Sequence, residues 1–367
     1  MFDFSLYLAS QLALTPADFR VDVLTGGLTN STVRATFVSP VYPFNSQQPM
    51  ASVVLKHAPY VASDPDQPMS VYQQTIEANA LRYLAGRHDV QDLMRQFLNL
   101  EIPRLVHHDD TANVIWITDL GVSQTLEKFL ATPGLSSTAV RELANTLGTF
   151  SARFWDLTAR PSPEVIAAFE RPVGPDSPAF FLVSTAHSIM SKRAVPDADT
   201  LSARIGTVMK AKEGIEPCLG MVDFWPGSIL IRADGSLGLV DWEYFGLSTP
   251  GAEIGMLVAH LHLIISNHVR EPEVCAATRT FISAFLDSYA AHAAPTSMYF
   301  KRQALVSYGR EMVTALEFFA TDLDEETKGR VLNAGVRTLR AAAASESEMD
   351  RASVDVSIAH MRDGSLQ

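Results

Sequence analysis

The sequence predicts an α+β protein in which a small β-rich lobe precedes a larger, mainly helical lobe. Short alternating segments rich in β-branched residues fill most of the chain before residue 120. From about Leu126 onward, apolar residues recur at helical spacing. A length of 367 residues suffices for two lobes that share a cleft. We expect lobes at 1–120 and 121–340, and a mobile tail at 341–367 that has lost its periodicity.

The N-terminal lobe is predicted from three strands, one hairpin and two helices. An amphipathic first helix explains "MFDFSLYLASQLAL", and "SVYQQTIEANALRYLAG" predicts a second helix that ends at Gly86. The strands are "FRVDVLTGG", "NSTVRATFVS" and "ASVVLKHA". "RLVHHDDTANVIWITDLG" predicts a hairpin with its turn at Asp109 to Asn113. A linker is expected near Asp119 to Thr125.

The C-terminal lobe is predicted to be helical around one hairpin. One buried helical stripe is formed by residues at spacings of four, three, four and three, namely Leu143, Leu147, Phe150, Phe154 and Leu157. The Asp234-Gly235 pair in "RADGS" is a strong hairpin turn signal between two short strands. Two more helices are expected between Met298 and Arg340.

Composition narrows the class of protein. The chain is 47% hydrophobic and 19% charged, which is typical of a soluble globular protein. A formal net charge of −12 argues against binding to nucleic acid or to anionic membranes. Cys218 and Cys275 make neither a disulfide framework nor a zinc cluster. The N-terminus lacks the basic region of a signal peptide, and the longest apolar run is too short to span a bilayer, so a cytoplasmic protein is expected.

Two aspartates flank the predicted C-terminal hairpin. Asp223 precedes its first strand and Asp241 directly follows its second, so a tight turn brings both to the same end. Aspartate is almost never buried unless it is paired or bound. Two carboxylates at one end of a hairpin can serve as a base and a metal ligand, and Mg²⁺ sites commonly use one or two carboxylates plus phosphates.

The N-terminal lobe supplies candidates for the other parts of nucleotide-dependent phosphoryl transfer. Gly26 and Gly27 lie between two strands, where backbone N–H groups can approach phosphate oxygens. Lys56 interrupts the apolar strand "VVLKH", and Glu77 on the following helix could hold its ammonium. Taken singly, these residues also fit an ordinary turn, a lysine reaching solvent and a solvated helix face, and Asp223 fits a turn cap. Their order along the chain favours the functional interpretation.

These segments resemble the aminoglycoside phosphotransferase and choline kinase superfamily, which has a two-lobe protein-kinase-like fold. The resemblance is nearest to methylthioribose kinase and the fungal hydroxytryptamine kinases. It spans Leu24 to Gly255, and its specific part is "MVDFWPGSILI" with "LVDWEYFGLSTPGAEIG". The supporting segments are "LTGGLTNSTVRATF", "SVVLKHA", "EANALRYL" and "VIWITDLG".

The resemblance implies ATP and Mg²⁺ as cofactors. It implies that the turn from Gly26 to Asn30 covers the phosphates and that Lys56, paired with Glu77, contacts them. The backbone around Asp119 and Leu120 would hold adenine.

By the same resemblance, Asp223 is the catalytic aspartate that accepts or orients the substrate hydroxyl. Asp241 would bind Mg²⁺, with Glu243 as a helper. Three departures from the family pattern stand out: Met221 replaces a histidine, Ser228 replaces the asparagine that is the second metal ligand, and Glu253 replaces an aspartate.

Two functions remain open from the sequence. The first is a kinase for a hydroxyl-bearing small molecule, with an amine-containing or aromatic acceptor as a candidate, since Trp225 could form an aromatic wall or a part of the core. The second is a pseudokinase-like or repurposed fold with weakened metal binding, which Ser228 favours. Lys56, Glu77, Asp223 and Asp241 together favour the kinase. His260 and His262, two residues apart on a helix, face different sides, so we expect core or pocket roles and no shared metal.

Overall fold

The computed structural model describes residues 2–24, 31–58, 72–170, 178–210, 217–295, 297–320 and 323–342. The predicted glycine turn, with Gly26, Gly27 and Asn30, lies outside the described residues. Residues 343–367, which make up most of the predicted tail, also lie outside the described residues. The first two residues of the predicted tail, Ala341 and Ala342, are the end and the C-cap of a helix.

A five-stranded antiparallel sheet forms the N-terminal lobe, in the strand order β1-β2-β3-β6-β5. Its strands are β1 (Phe19–Leu24), β2 (Ser31–Val41), β3 (Met50–His57), β5 (Leu105–Asp109) and β6 (Val114–Thr118). The three predicted strands and the predicted hairpin are therefore present. Helix α1 (Phe4–Leu12) begins at Asp3, whose side chain accepts a hydrogen bond from the Leu6 N–H.

The two faces of this sheet pack on different elements because side chains alternate along a strand. One face buries Val33, Ala35 and Leu55 against α1. The other buries Val54 and residues of β6 against α2 (Tyr72–Gly86), which is followed by α3 (His88–Met94). Lys56 lies on this second face, two residues from Val54, and therefore points between sheet and helix.

Helices dominate the chain after residue 125. In the described residues they are α4 (Leu126–Leu130), α5 (Ser137–Leu157), α6 (Pro163–Ala168), α7 (Pro178–Lys192), α8 (Ala198–Lys210), α9 (Pro250–Asn267), α10 (Pro272–His292), α11 (Met298–Phe318) and α12 (Glu325–Ala341). The hydrophobic α9 packs along α11, where a Cβ added at Gly255 would stand only 2.2 Å from the Ala304 carbonyl oxygen. No helix in the described ranges is long and apolar enough to cross a membrane.

The predicted C-terminal hairpin is present and belongs to a four-stranded sheet in the order β4-β10-β9-β7. The hairpin strands are β9 (Ile229–Arg232) and β10 (Leu237–Leu239), antiparallel and joined through Asp234 and Gly235. Two short strands flank them: β4 (Leu100–Glu101) runs parallel to β10, and β7 (Ser123–Thr125) pairs antiparallel with β9. A further pair is formed by β8 (Cys218–Gly220) and β11 (Gly246–Ser248).

The strand β7 corrects the expectation of a plain linker from Asp119 to Thr125. Ser123 pairs with Arg232 and Thr125 with Leu230, so the second half of this segment is hydrogen-bonded to the hairpin. A three-residue strand leaves no periodicity in the sequence, and its partner lies more than 100 residues away. Within this segment, residues 119–122 belong to no strand and join β6 of the N-terminal sheet to β7 of the four-stranded sheet; they are called the connecting segment below.

Candidate active site

Lys56 connects three separate parts of the molecule. Its Nζ atom lies 2.8 and 2.9 Å from the two carboxylate oxygens of Glu77 on α2, and 2.6 Å from Oδ1 of Asp241. The Lys56 side chain is only 6% exposed and that of Glu77 only 1%, whereas that of Asp241 is 32% exposed. The contact between Lys56 and Glu77 that the sequence suggested is therefore present. Asp241 offers its carboxylate partly to solvent.

The charges around Lys56 keep it protonated and leave an excess of negative charge. Burial acts to lower the pKa of Lys56, but the carboxylates of Asp241, Glu77 and Glu243 outweigh it and raise that pKa above its ordinary value. Burial raises the pKa of Glu77, while the Lys56 ammonium opposes this shift. One ammonium faces three carboxylates in this group, and an additional cation would reduce their mutual repulsion.

Asp223 lies between β8 and β9 and is half-buried. Burial and the negative charges of Glu311, Asp241 and Glu253 raise its pKa to about 7, although Arg310 acts in the opposite direction. A carboxyl group that titrates near neutral pH can both accept and release a proton under physiological conditions. The electrostatic effect of Asp241 on Asp223 agrees with the expectation that the hairpin presents both at one end.

Left-handed backbone occurs beside both aspartates. Asp241 itself has φ +63°, and Val222, directly before Asp223, has φ +65°. A β-branched residue in this conformation is unusual and has to be held by its surroundings. Strained backbone of this kind concentrates at functional sites because it fixes side-chain direction.

Glu253 holds the strained loop in place. Its two carboxylate oxygens lie 3.0 and 3.3 Å from the Val222 N–H nitrogen, and the Ser248 hydroxyl donates a short hydrogen bond to the same carboxylate. Glu253 is 2% exposed and lies in the first turn of α9, whose N-cap is Thr249. Glu253, which stands where the sequence resemblance led us to expect an aspartate, therefore positions the backbone directly before Asp223.

Ser228 closes a turn at the start of β9. Its hydroxyl donates to the Trp225 carbonyl oxygen at 2.8 Å and accepts from the Trp225 N–H at 3.3 Å. The residue is fully buried. Since a hydroxyl oxygen has two lone pairs, these bonds leave room for one further acceptor interaction. Glu243, the other metal-ligand candidate beside Asp241, is 5% exposed.

The connecting segment meets the N-terminal sheet through Asp119. Its carboxylate accepts hydrogen bonds from Arg34 on β2, from Ser52 on β3 and from the Gly121 N–H. Leu120 is 7% exposed and packs on β10, since a Cβ added at Gly238 would come within 2.6 Å of Leu120 Cδ1. Sequence analysis missed Arg34, because one arginine in an alternating strand carries no local signal.

An aromatic and acidic group lies beside Asp223. The Trp225 ring centroid lies 5.5 Å from those of His260 and Phe319. His260 Nε2 stands 3.4 Å from Glu311 Oε2. Burial acts to raise the pKa of Glu311, but Arg310 and His260 outweigh it and lower that pKa to about 2, so Glu311 stays charged. Sequence analysis did not find Glu311, which is distant in the chain and belongs to a helix with ordinary patterning. His262 instead contacts Tyr308 at 2.6 Å, so the two histidines face different sides as expected.

The structure thus brings Lys56, Glu77, Asp223, Asp241 and Glu243 into one electrostatic group, while Asp119 and Leu120 lie at the connecting segment. Within the described residues, no group of three or more His, Cys, Asp or Glu side chains forms a ready metal cage. A Mg²⁺ site built from one or two carboxylates and substrate phosphates does not need such a cage.

Comparison by sequence finds no protein-family model and no curated protein that matches the chain. Comparison by structure finds many matches, three of which illustrate the group. The aminoglycoside phosphotransferase APH(2'')-Ib with ADP bound is 16% identical, with TM-score 0.52, covering 93% of this chain and 99% of its own. The APH(2'')-IIa complex with gentamicin is 17% identical, with TM-score 0.51, covering 94% and 98%. A microcompartment-associated aminopropanol kinase is 11% identical, with TM-score 0.54, covering 98% of both chains.

These matches extend over almost the whole chain at low sequence identity, which is the pattern of a shared fold. They confirm the α+β, protein-kinase-like architecture that the sequence motifs indicated. The nearer likeness to methylthioribose kinase and the hydroxytryptamine kinases stays a prediction. The chain therefore has the fold of the aminoglycoside phosphotransferases and related small-molecule kinases.

Proposed function

We propose that this protein is an ATP-dependent phosphotransferase that moves the γ-phosphate to a hydroxyl group of a small metabolite. One observation carries the proposal: Lys56 Nζ is bonded at once to Glu77 and to Asp241. These three residues come from a strand, a helix and the end of a distant hairpin. A buried ion pair costs desolvation energy and is weak evidence for stability alone, so its assembly beside Asp223 favours a functional site.

Several residues would hold the nucleotide. Lys56 would contact the phosphates, with Glu77 fixing the direction of its ammonium. The backbone of Asp119 and Leu120 would meet the adenine base, and the turn from Gly26 to Asn30 would cover the phosphates. The ADP in the APH(2'')-Ib structure supports a nucleotide in a cleft of this fold.

The excess of carboxylates fits a divalent cation. Asp241, with Glu243 nearby, would supply the ligands, and Ser228 is the candidate for a further one. Mg²⁺ bound there would neutralise charge on the phosphates. The carboxylate of Asp241 lies beside Lys56 and is also partly exposed, so it is the strongest ligand candidate.

Asp223 would orient the acceptor hydroxyl and take up its proton. In the reaction, the hydroxyl oxygen forms a bond to the γ-phosphorus while the bond from that phosphorus to the bridging oxygen of ADP breaks. With a pKa of about 7, Asp223 is a base near neutral pH and can return the proton to solvent afterwards. Glu253 acts through the backbone of Val222 and is a positioning residue.

The acceptor would be an amine-containing or aromatic alcohol. Trp225, His260 and Phe319 supply aromatic surface next to Asp223, and the charged Glu311 supplies negative potential. Solved structures with this fold include one aminopropanol kinase and one complex with gentamicin. The protein is proposed to be cytoplasmic.

A nucleotide-binding protein without phosphotransfer is the second candidate. Ser228 favours it, since the serine hydroxyl already bonds to the backbone of Trp225 and is shorter than an asparagine amide. Mg²⁺ would then be held weakly or not at all.

Calorimetric titration with a non-hydrolysable ATP analogue, with and without Mg²⁺, separates the two candidates. Nucleotide binding that requires Mg²⁺ supports the kinase. Nucleotide binding with the same affinity in the absence of Mg²⁺ supports the nucleotide-binding protein without phosphotransfer. No binding in either condition contradicts both. When an acceptor is in hand, Asp223→Asn should abolish turnover and leave nucleotide affinity largely intact; wild-type turnover in that variant would contradict the role of Asp223.

Restoring the family's residue tests the metal role of Ser228. In Ser228→Asn we expect a lower Mg²⁺ concentration for half-maximal nucleotide binding, because an amide oxygen reaches further and is the better ligand. An unchanged Mg²⁺ dependence would show that Ser228 is a turn residue only. The unfolding midpoint of the variant serves as the control for loss of the turn.

A further inference from the structure

The connecting segment is fixed by a guanidinium–carboxylate pair that crosses the sheet. Arg34 Nε lies 2.8 Å from Asp119 Oδ2, and Arg34 Nη2 lies 2.9 Å from Asp119 Oδ1. The same Nη2 donates to the Gly121 carbonyl oxygen at 2.7 Å. Arg34 thus bonds to both a side chain and the main chain of the segment. Planar, two-pronged pairing of this kind is directional as well as strong.

The carboxylate of Asp119 has no capacity left for a ligand. Oδ1 also accepts from the Gly121 N–H at 2.9 Å, and Oδ2 accepts from the Ser52 hydroxyl at 2.7 Å. Each oxygen therefore receives two hydrogen bonds, which is its ordinary full complement. Despite burial, these bonds lower the pKa of Asp119, so it stays ionised. Recognition of a base in this region therefore falls to the main chain.

Gly121 is held from both sides in a left-handed conformation. Its N–H donates to Asp119, its carbonyl accepts from Arg34, and its φ is +84°. Among the described residues no atom lies within 4 Å of the position that a Cβ would take, so this glycine is required for its backbone angle and not for space. The path of the main chain between the two sheets is set by these contacts.

Arg34 reaches this point from the cleft face of the N-terminal sheet. It is opposite Val54 in the β2–β3 register, and Lys56 follows two residues later on the same face. Since β3 lies between β2 and β6, the Arg34 side chain reaches across β3 to Asp119, which directly follows β6. Arg34 therefore links β2 of the N-terminal sheet to the connecting segment, and both are proposed to border the nucleotide cleft.

We propose that Arg34 is a positioning residue for the nucleotide base, acting through Asp119 and Gly121. This inference rests on the proposed function, since it assigns the connecting segment to base recognition. The ion pair would fix the path of the backbone at Asp119 and Leu120, the part of the segment proposed to meet the base. Loss of the pair releases that backbone and weakens recognition of the base without touching the phosphate contacts of Lys56.

Two probes separate base recognition from phosphate recognition. We would titrate the full-length protein with a non-hydrolysable ATP analogue and with tripolyphosphate, both with Mg²⁺. In Arg34→Gln we expect affinity for the ATP analogue to fall about tenfold, as for loss of a charge-assisted hydrogen bond. Affinity for tripolyphosphate should stay within about twofold of the wild type, a difference well under 1.4 kcal/mol, because this probe carries no base to meet the connecting segment. Arg34→Lys should recover only part of the loss, because an ammonium cannot reproduce the planar fork.

Arg20→Gln is the matched control. Arg20 pairs with Asp22 on β1 of the same sheet, with side chains 75% and 42% exposed, so its loss should leave both affinities unchanged. Gly121→Ala strains the same backbone without a clash, and it should reproduce the selective loss even if Arg34→Gln folds poorly.

The outcomes differ for the inference and for the proposed function. If the wild-type protein binds neither the ATP analogue nor tripolyphosphate, both the proposed function and the inference about Arg34 are contradicted. If the wild type binds the ATP analogue and Arg34→Gln binds it equally well, only the inference falls. Equal losses for both probes in Arg34→Gln and Gly121→Ala would also overturn it, since they would show a general loosening of the cleft.

Discussion

The raised pKa of Asp223 makes the pH dependence of stability a direct test of the site. In the folded protein its pKa is raised from 3.8 to about 7, chiefly by burial and by neighbouring carboxylates. Between these two values the folded state keeps a proton that the unfolded state releases. The free energy of unfolding should therefore fall as the pH rises from about 4 to about 7. Asp223→Asn, which cannot ionise, should remove this fall.

The size of the effect follows from the same two values. At about 1.4 kcal/mol for each pH unit, the interval from 3.8 to about 7 costs the folded wild type about 4 kcal/mol at pH 8. At pH 5 less than half of this cost has developed. The stability gained by Asp223→Asn over the wild type should therefore grow by about 3 kcal/mol from pH 5 to pH 8.

Urea unfolding at pH 5 and pH 8, in a chelating buffer that removes divalent cations, measures this difference. Asp110→Asn is the control, because Asp110 is exposed in the turn between β5 and β6 and the variant makes the same change in charge. We expect the control to follow the wild type at both pH values. If the stability difference between Asp223→Asn and the wild type is the same at both pH values, the raised pKa that the structure gives Asp223 is refuted.

Two further predictions concern the support of the site. Glu253→Gln keeps the shape of the side chain but removes the charge that holds the Val222 N–H; we expect a loss of about 1–3 kcal/mol in unfolding free energy, measured in urea, together with reduced turnover. Wild-type stability in that variant would contradict the anchoring role. Gly255→Ala should cost about 1–3 kcal/mol because its Cβ would meet the Ala304 carbonyl oxygen at 2.2 Å. The control Gly329→Ala, in α12 with no atom within 4 Å, should be neutral or stabilising, and similar unfolding midpoints for the two would refute the packing argument.

Local patterns in the sequence were sufficient for the elements that carry the main site. The Asp234-Gly235 turn closes a hairpin, and a hairpin necessarily brings the residues before and after it to one end, so this turn signal by itself predicts that Asp223 and Asp241 lie together. Lys56 could be placed with Glu77 because a polar residue in an apolar strand needs a partner on the helix packed against it.

Long-range pairing was not accessible in this way. The strands β4 and β7 have two and three residues, too few for any periodicity, and they exist because β9 and β10 offer hydrogen-bonding edges. Part of the expected linker became a strand for this reason. Glu311 likewise affects Asp223 only because α11 packs beside the loop after β8.

Relations between neighbouring residues were enough to predict the order of the two lobes, the positions of most strands and helices, and the residue types proposed to act in phosphoryl transfer. These depend on properties of neighbouring residues, namely side-chain alternation, helical spacing and turn chemistry. The tertiary structure alone decided the raised pKa of Asp223, the anchoring of Val222 by Glu253 and the pairing of Arg34 with Asp119. Each of these requires burial and contact between segments that are distant in the chain, and electrostatic interactions become strong only where such packing excludes water.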